Sequence, residues 1–233
     1  VCASIRRSYG VRCQADLAAT DGGPSSSVWS LVTAVRSAVA EALRTISNRE
    51  DFNVFFKKSS RRVRYDLSVY FREMIYSTEV GPAYAAASAL QDQADVYRPF
   101  YTELDWMNTA LLGFQLPRDI EGYRAVDGAR AALAGEQAPM PFVADGPAKT
   151  IDWNIIGTDA GQEVSIRLPG GRVVLRLWPD MAPATVSSFL ELVKAGYYNG
   201  KVFHRVVPNF VAQGGGPLGD GYGSEEFRLR TET

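Results

Sequence analysis

The sequence predicts a multidomain α + β protein: an N-terminal region of antiparallel helices, then the first half of an antiparallel β-barrel. Three observations carry this reading. Residues 1–135 repeat apolar side chains at helical spacing. Residues 151–233 turn instead to β-branched runs and glycines. Between them, residues 136–150 hold Pro139, Pro141, Pro147 and Gly146, next to Gly135, and read as a linker without regular structure.

The composition is that of a globular chain: 233 residues, 46% apolar, 22% charged, with a formal net charge of −1. The 11 Phe and 11 Tyr are enough to build a core, which argues against disorder as the main state. So small a net charge gives no general pull toward nucleic acid or an acidic membrane. No stretch nears the roughly 18 apolar residues of a membrane span. Cys2 and Cys13 are too few for a disulfide framework, and the single His204 excludes a multi-histidine metal centre. The chain opens at Val1 with no charged-then-apolar leader and closes on Arg-Leu-Arg-Thr-Glu-Thr like a strand cut short, so both ends are expected to be incomplete. Scarce cysteines suit cytoplasm and cell envelope alike, which leaves the compartment open.

In the first region, Ser25–Ser27 after Pro24 starts a helix whose stripe is Val28, Leu31, Val35, Val39, Ala42, Leu43 and Ile46. A short segment, Asp51 to Phe56, follows. A second long helix covers about 62–76, with Val63, Leu67, Tyr70, Phe71 and Met74 on one side. The third begins near Pro82, a good first-turn residue, and runs through Leu90 to Asp95. Two more are expected at Trp106–Leu112 and Glu121–Leu133. Short connections between such helices imply antiparallel hairpins, and the rhythm resembles HEAT-like repeats.

The second region alternates as a strand over Glu163–Leu168, turns at Pro169-Gly170-Gly171 and returns over Arg172–Trp178. Pro183 opens a helix with Val186, Phe189, Leu190 and Val193 on its buried face and Gly196 as its stop. Strands then follow at Val202–Val207 and Phe210–Gln213, a glycine-rich loop after them, and a further strand start at Phe227.

Lys57, Lys58, Arg61, Arg62 and Arg64 gather five cations in eight residues. Without interleaved aromatics for base stacking, a solvated face is the expected role, and no nucleic-acid partner is expected. The face through Tyr84 and its alanines fits a docking groove and tight helix packing equally well. Alternation in the Val202–Val207 strand puts Phe203 and Arg205 on one face, His204 and Val206 on the other. By pattern alone Arg205 is an ordinary surface arginine and Phe210 an ordinary core residue. His204 lacks a carboxylate, serine or cysteine at a suggestive spacing and is expected to be structural. Trp29, Trp106, Trp153 and Trp178 are expected to pack.

The run Phe203-His204-Arg205-Val206-Val207-Pro208-Asn209-Phe210-Val211-Ala212-Gln213-Gly214-Gly215 resembles the signature of cyclophilin-type peptidyl-prolyl isomerases. Its flanks agree: Met181–Phe189 looks like the family's first helix, Gly196–Gly200 like the entry to its third strand, and Gly219–Gly223 like its glycine loop. Val211 stands where the family commonly has methionine, and Gly216 where it commonly has aspartate. The resemblance implies catalysis by Arg205 with Gln213 on the substrate backbone, Phe210 and Val211 flooring a proline pocket, and Gly214 and Gly221 binding substrate. It also implies a second groove wall from later strands bearing a tryptophan and a histidine, beyond Thr233, so a half barrel should expose unpaired edges.

Elementary chemistry agrees with that assignment. Rotation about an X-Pro bond faces about 18–20 kcal/mol of lost amide resonance, while the end states differ by only about 0.5–1 kcal/mol. A catalyst needs a dry hollow for the ring and a fixed donor favouring the twisted amide, and neither nucleophile, metal nor cofactor. The partners implied are proline-containing polypeptides, whose folding the enzyme would assist, and a protein partner for the helical region. The alternative is a non-catalytic proline-peptide binding module on a helical interaction scaffold.

Overall fold

Helices fill the N-terminal part of the chain and antiparallel strands follow, as in part of a cyclophilin-like fold. The computed structural model describes residues 2–6, 26–137, 139–140, 148–156, 162–225, 227, 229, 231 and 232. They pack as two compact units, one drawn from 1–29, 146–203 and 226–233, the other from 30–145 and 204–225.

In the first unit, strand β1 (Cys2–Arg6), strand β2 (Glu163–Leu168) and strand β3 (Gly171–Arg176) form an antiparallel sheet in that order. The β2–β3 hairpin forms in the expected register, from Glu163 opposite Arg176 to Leu168 opposite Gly171. Strand β1 was not expected; its five residues, Ala3 opposite Ile166 among them, pair with the other side of β2. Strand β3 is an edge of this sheet, and its Val173 and Val174 are exposed. The described strands make this three-stranded sheet and a separate two-stranded one.

Helix α9 (Pro183–Lys194) covers the sheet together with the short helix α8 (Trp153–Ile156). Val186, Leu190 and Val193 are buried against Ile155, Ile156 and Val164, as the 3.6-residue spacing predicts. Gly196 ends α9 with φ 73°, its N–H bonding Val193 O while Tyr197 N–H bonds Leu192 O. At the other end, the Glu232 carboxylate accepts the N–H groups of Ala184 and Thr185 and the Thr185 hydroxyl. Phe227 carries no strand, and residues 226, 228, 230 and 233 lie outside the described ones.

The second unit is built on helix α4 (Val80–Asp92), which packs between α3 (Ser60–Tyr76) and α7 (Ile120–Ala134). Ala83, Ala85, Ala86, Ala87, Ala89 and Leu90 are all fully buried, so the alanine-rich face is close helix packing. Helix α1 (Ser26–Ser47), α2 (Phe52–Phe56), α5 (Ala94–Tyr97) and α6 (Asp105–Leu111) complete the set. The third expected helix breaks at Gln93, which separates α4 from α5.

Several burial expectations are corrected. In α1, Val35 and Val39 are at least half exposed and Ile46 is exposed, while Ser37, Ala40 and Ser47 face inward. Polar partners turn the helix: Ser37 donates to Asp220, and Ser47 Oγ is paired with the Tyr97 hydroxyl. The side chains of Val28, Trp29 and Leu31, and all of Cys13, lie outside the described residues. Tyr70 of α3 is exposed, its place on the buried face taken by Arg64 and Ser68. Trp106 packs, whereas Trp153 and Trp178 are exposed.

The basic run is solvated except at one position. Arg64 is buried; its Nη1 lies within donating distance of Ser47 O (2.8 Å), Gln93 Oε1 (2.6 Å) and the Tyr97 hydroxyl (3.2 Å). Its guanidinium carbon stands 3.6 Å over the Phe52 ring. One cation thus joins α1, α2, α3 and α5. Arg64→Met should lower stability by about 3 kcal/mol, because those acceptors stay buried without their donor. A shifted urea midpoint with an unchanged slope checks this.

Burial pushes the Glu232 carboxyl up, but the Ala184 N–H, the Thr185 hydroxyl and the Thr185 N–H outweigh it and hold the group below its ordinary range. A depressed carboxyl contributes stability above its unfolded pKa and loses it as pH falls through the folded one. Glu232→Gln should therefore flatten the acid limb of a Tm-against-pH curve below the ordinary glutamate range.

Candidate active site

Strand β4 (Phe203–Val207) and strand β5 (Val211–Gly214) form the two-stranded sheet, joined by Pro208, Asn209 and Phe210. Phe210 N–H closes the turn on Val207 O at 3.1 Å, and Asn209 sits at φ 58°. Proline followed by a left-handed asparagine is the residue pattern of a type II turn. This tight connection brings Arg205 and Gln213 together: Arg205 Nη1 donates to Gln213 Oε1 at 2.9 Å. Both side chains are exposed, and the pairing leaves the glutamine NH2 to donate elsewhere.

Arg205 and Gln213 open on a cavity of about 710 Å³ within the second unit. That volume falls within the usual range of small-ligand sites. Gly221 lines it too, so three of the six expected site residues share one hollow. Phe210, Val211 and Gly214 are not among its lining. Phe210 is 79% exposed instead of forming core, and its ring stands open to solvent. His204 lines the same cavity as Arg205 although they are neighbours on the strand, contrary to strict alternation.

The far wall includes the Tyr84 face, which the sequence left open between docking groove and helix packing. Tyr84, Ser88 and Gln91 supply it from α4, and Glu121, Arg124 and Ala125 from α7. The spacings i, i+4, i+7 and i, i+3, i+4 put each set on one helix face. That spacing and the two strands were readable in the sequence; that they face each other was not.

The glycine loop after β5 completes the cavity and is anchored at several points. Asp220 Oδ2 accepts the Ser37 hydroxyl at 2.8 Å, and Oδ1 accepts Tyr222 N–H at 3.0 Å. The Tyr222 hydroxyl bonds Glu41 at 3.1 Å, and its ring lies 5.2 Å from that of Tyr84. Gly223 N–H donates to Glu121, and Ser224 N–H to Arg118 O. Burial, then the nearby Glu41 carboxylate, pushes the Tyr222 phenol well above its ordinary range, so it is a neutral hydrogen-bonding group.

His204 has a buried Nδ1 with no hydrogen-bond partner among the described residues, and its Nε2 lies against Gly221. A Cβ at Gly221 would stand 2.8 Å from that nitrogen, on a backbone with φ 96°. Among the described residues no three His, Cys, Asp or Glu side chains converge as a metal site requires. No described helix is long and apolar enough to cross a membrane.

Residues 163–233 match the family described as "Cyclophilin type peptidyl-prolyl cis-trans isomerase/CLD". Peptidyl-prolyl cis-trans isomerase B of Bacillus subtilis is 44% identical over 64 residues, which are 28% of this chain and 45% of that protein. A peptidyl-prolyl cis-trans isomerase of Helicobacter pylori strain J99 is 42% identical over 86 residues, 37% of this chain and 53% of that protein. The isomerase ppi1 of Schizosaccharomyces pombe is 45% identical over 60 residues, 26% of this chain and 39% of that protein. The chain spans about half the length of these relatives, or less. No solved structure matches it significantly.

Gly221→Ala should lower stability by about 1–2 kcal/mol, through left-handed strain and the push on His204. Chemical denaturation measures the loss, and a moved His204 ring resonance in NMR locates it.

Proposed function

We propose that the cyclophilin-type segment at residues 163–233 catalyses cis-trans isomerisation of X-Pro bonds in polypeptides. The observation that carries this reading is the Arg205–Gln213 pair, fixed at 2.9 Å on the wall of a peptide-sized cavity. As the bond twists, amide resonance is lost and the proline nitrogen regains a lone pair. A guanidinium already held by Gln213 donates to that nitrogen without reorganising, and so favours the twisted form over either planar one. The free glutamine NH2 donates to a peptide carbonyl and limits sliding. No bond is made or broken, so the reading calls for no cofactor.

The exposed Phe210 ring and the adjoining Val211 offer apolar surface to the proline ring. Gly214 and Gly221 are the backbone positions proposed to meet the peptide, although the space beside Gly221 is taken by His204. The domain reading remains a helical region over 1–135, a linker over 136–150 and an isomerase region from 151 onward. The packing of α3 on α4 and α4 on α7 is compatible with HEAT-like pairing. In this reading the full protein assists the folding of proline-containing clients, and the helical region contacts a further protein.

Arg205→Ala in the full-length protein should reduce kcat/KM for an X-Pro peptide by about 10²-fold, as removal of one transition-state donor does in other enzymes. Protease-coupled or NMR exchange measurements read that rate. Unchanged turnover would remove Arg205 from the mechanism, and a wild-type protein that binds the peptide without turning it over would make the segment a binding module.

A further inference from the structure

Helix α3 and the turn before it gather positive charge around a second hollow of the helical unit, about 390 Å³ in volume. Lys57 and Lys58 line it from the 3-10 turn Lys57–Ser59, and Arg61 and Arg64 from α3, one turn apart on the same face. Arg64 is more than nine-tenths buried, while the other three cations are exposed. No acidic residue lines the hollow. The carboxylates close to it in sequence are engaged by other arginines: Asp51 by Arg49 at 2.7 Å, Asp66 by Arg62 at 3.1 Å and Asp95 by Arg98 at 2.9 Å. Among the described residues none of the four cations has an acidic partner, and the Arg64 bonds all go to uncharged oxygens. Like charges gathered this closely repel one another, and an anion entering the hollow relieves that repulsion.

We infer that this hollow binds the phosphate group of a small ester or of a lipid headgroup, its oxygens meeting Lys57, Lys58, Arg61 and Arg64. A phosphomonoester carries about −1.5 to −2 charge at pH 7 and three strong acceptor oxygens, whereas a carboxylate has one charge and two oxygens. The phosphate is therefore the better match to several cationic donors on one hollow. The Asn53 amide, on the same lining, adds an uncharged donor. Val96 and Phe100 line the hollow as well and offer apolar cover to the carbon group that bears the phosphate. An ester should thus bind better than the inorganic ion. The site shares no residue with the Arg205 cavity and does not depend on it.

Calorimetry on the full-length protein at low salt compares phenyl phosphate, inorganic phosphate and benzoate. Phenyl phosphate should bind about tenfold more tightly than benzoate, and more tightly than inorganic phosphate, with an affinity that falls as salt rises. Arg61→Gln should weaken it about tenfold. Arg62→Gln removes an equal charge from the same run but outside the hollow, and should change it less than about twofold. Exposed Lys58→Gln carries the test if Arg61→Gln fails to fold. Sedimentation with phosphatidylcholine vesicles, with and without phosphatidic acid, separates the two sources. Pelleting that requires phosphatidic acid and is lost in Arg61→Gln assigns the phosphate to a lipid headgroup. Phenyl phosphate binding by a protein that stays in the supernatant assigns it to a free ester. Benzoate binding as tightly as phenyl phosphate overturns the site, as do equal losses in Arg61→Gln and Arg62→Gln, or no binding of phosphate in either form.

Discussion

The buried carboxylate of Asp220 is the contact on which the site geometry depends. One oxygen takes the Ser37 hydroxyl and the other the Tyr222 amide, so both ends of the charge are satisfied out of water. Gly81 makes this approach possible, since a Cβ there would stand 2.7 Å from Asp220 Oδ2. Loop, helix and cavity follow from it. With Asp220 fixed, Tyr222 reaches Glu41 and Tyr84, and Gly221 comes to lie on His204. The same contact explains why α1 buries Ser37 while Val35 and Val39 stay exposed.

Such an arrangement suits a reaction that asks little of chemistry and much of placement. Amide rotation requires a donor whose aim does not drift and a surface that keeps water from competing for it. Arg205 meets Gln213 eight residues on, across a tight turn, through one exposed hydrogen bond. The far side of the cavity depends on long-range packing.

Much of the architecture was legible from periodicity. Helices α3, α4, α6 and α7, the β2–β3 hairpin and α9 with its Gly196 stop all follow from spacing and punctuation. The signature around Arg205 was legible because it is long and contiguous. What escaped depends on partners distant in sequence. Ser37 meets Asp220 across 183 positions, Arg64 leaves its basic run to join four helices, and β1 pairs with β2 from the far end of the chain. Composition cannot report such pairings, because each side chain is individually ordinary. Spacing offered the Tyr84 face as groove or packing, and only the fold brings it opposite the Arg205 hairpin.

Helix α4 has a consequence for how this protein can change over generations. Five of its alanines have no accessible surface, and close packing leaves no slack for an added methylene. Its sequence is thus confined to the smallest residues along most of its length, even though those residues do no chemistry.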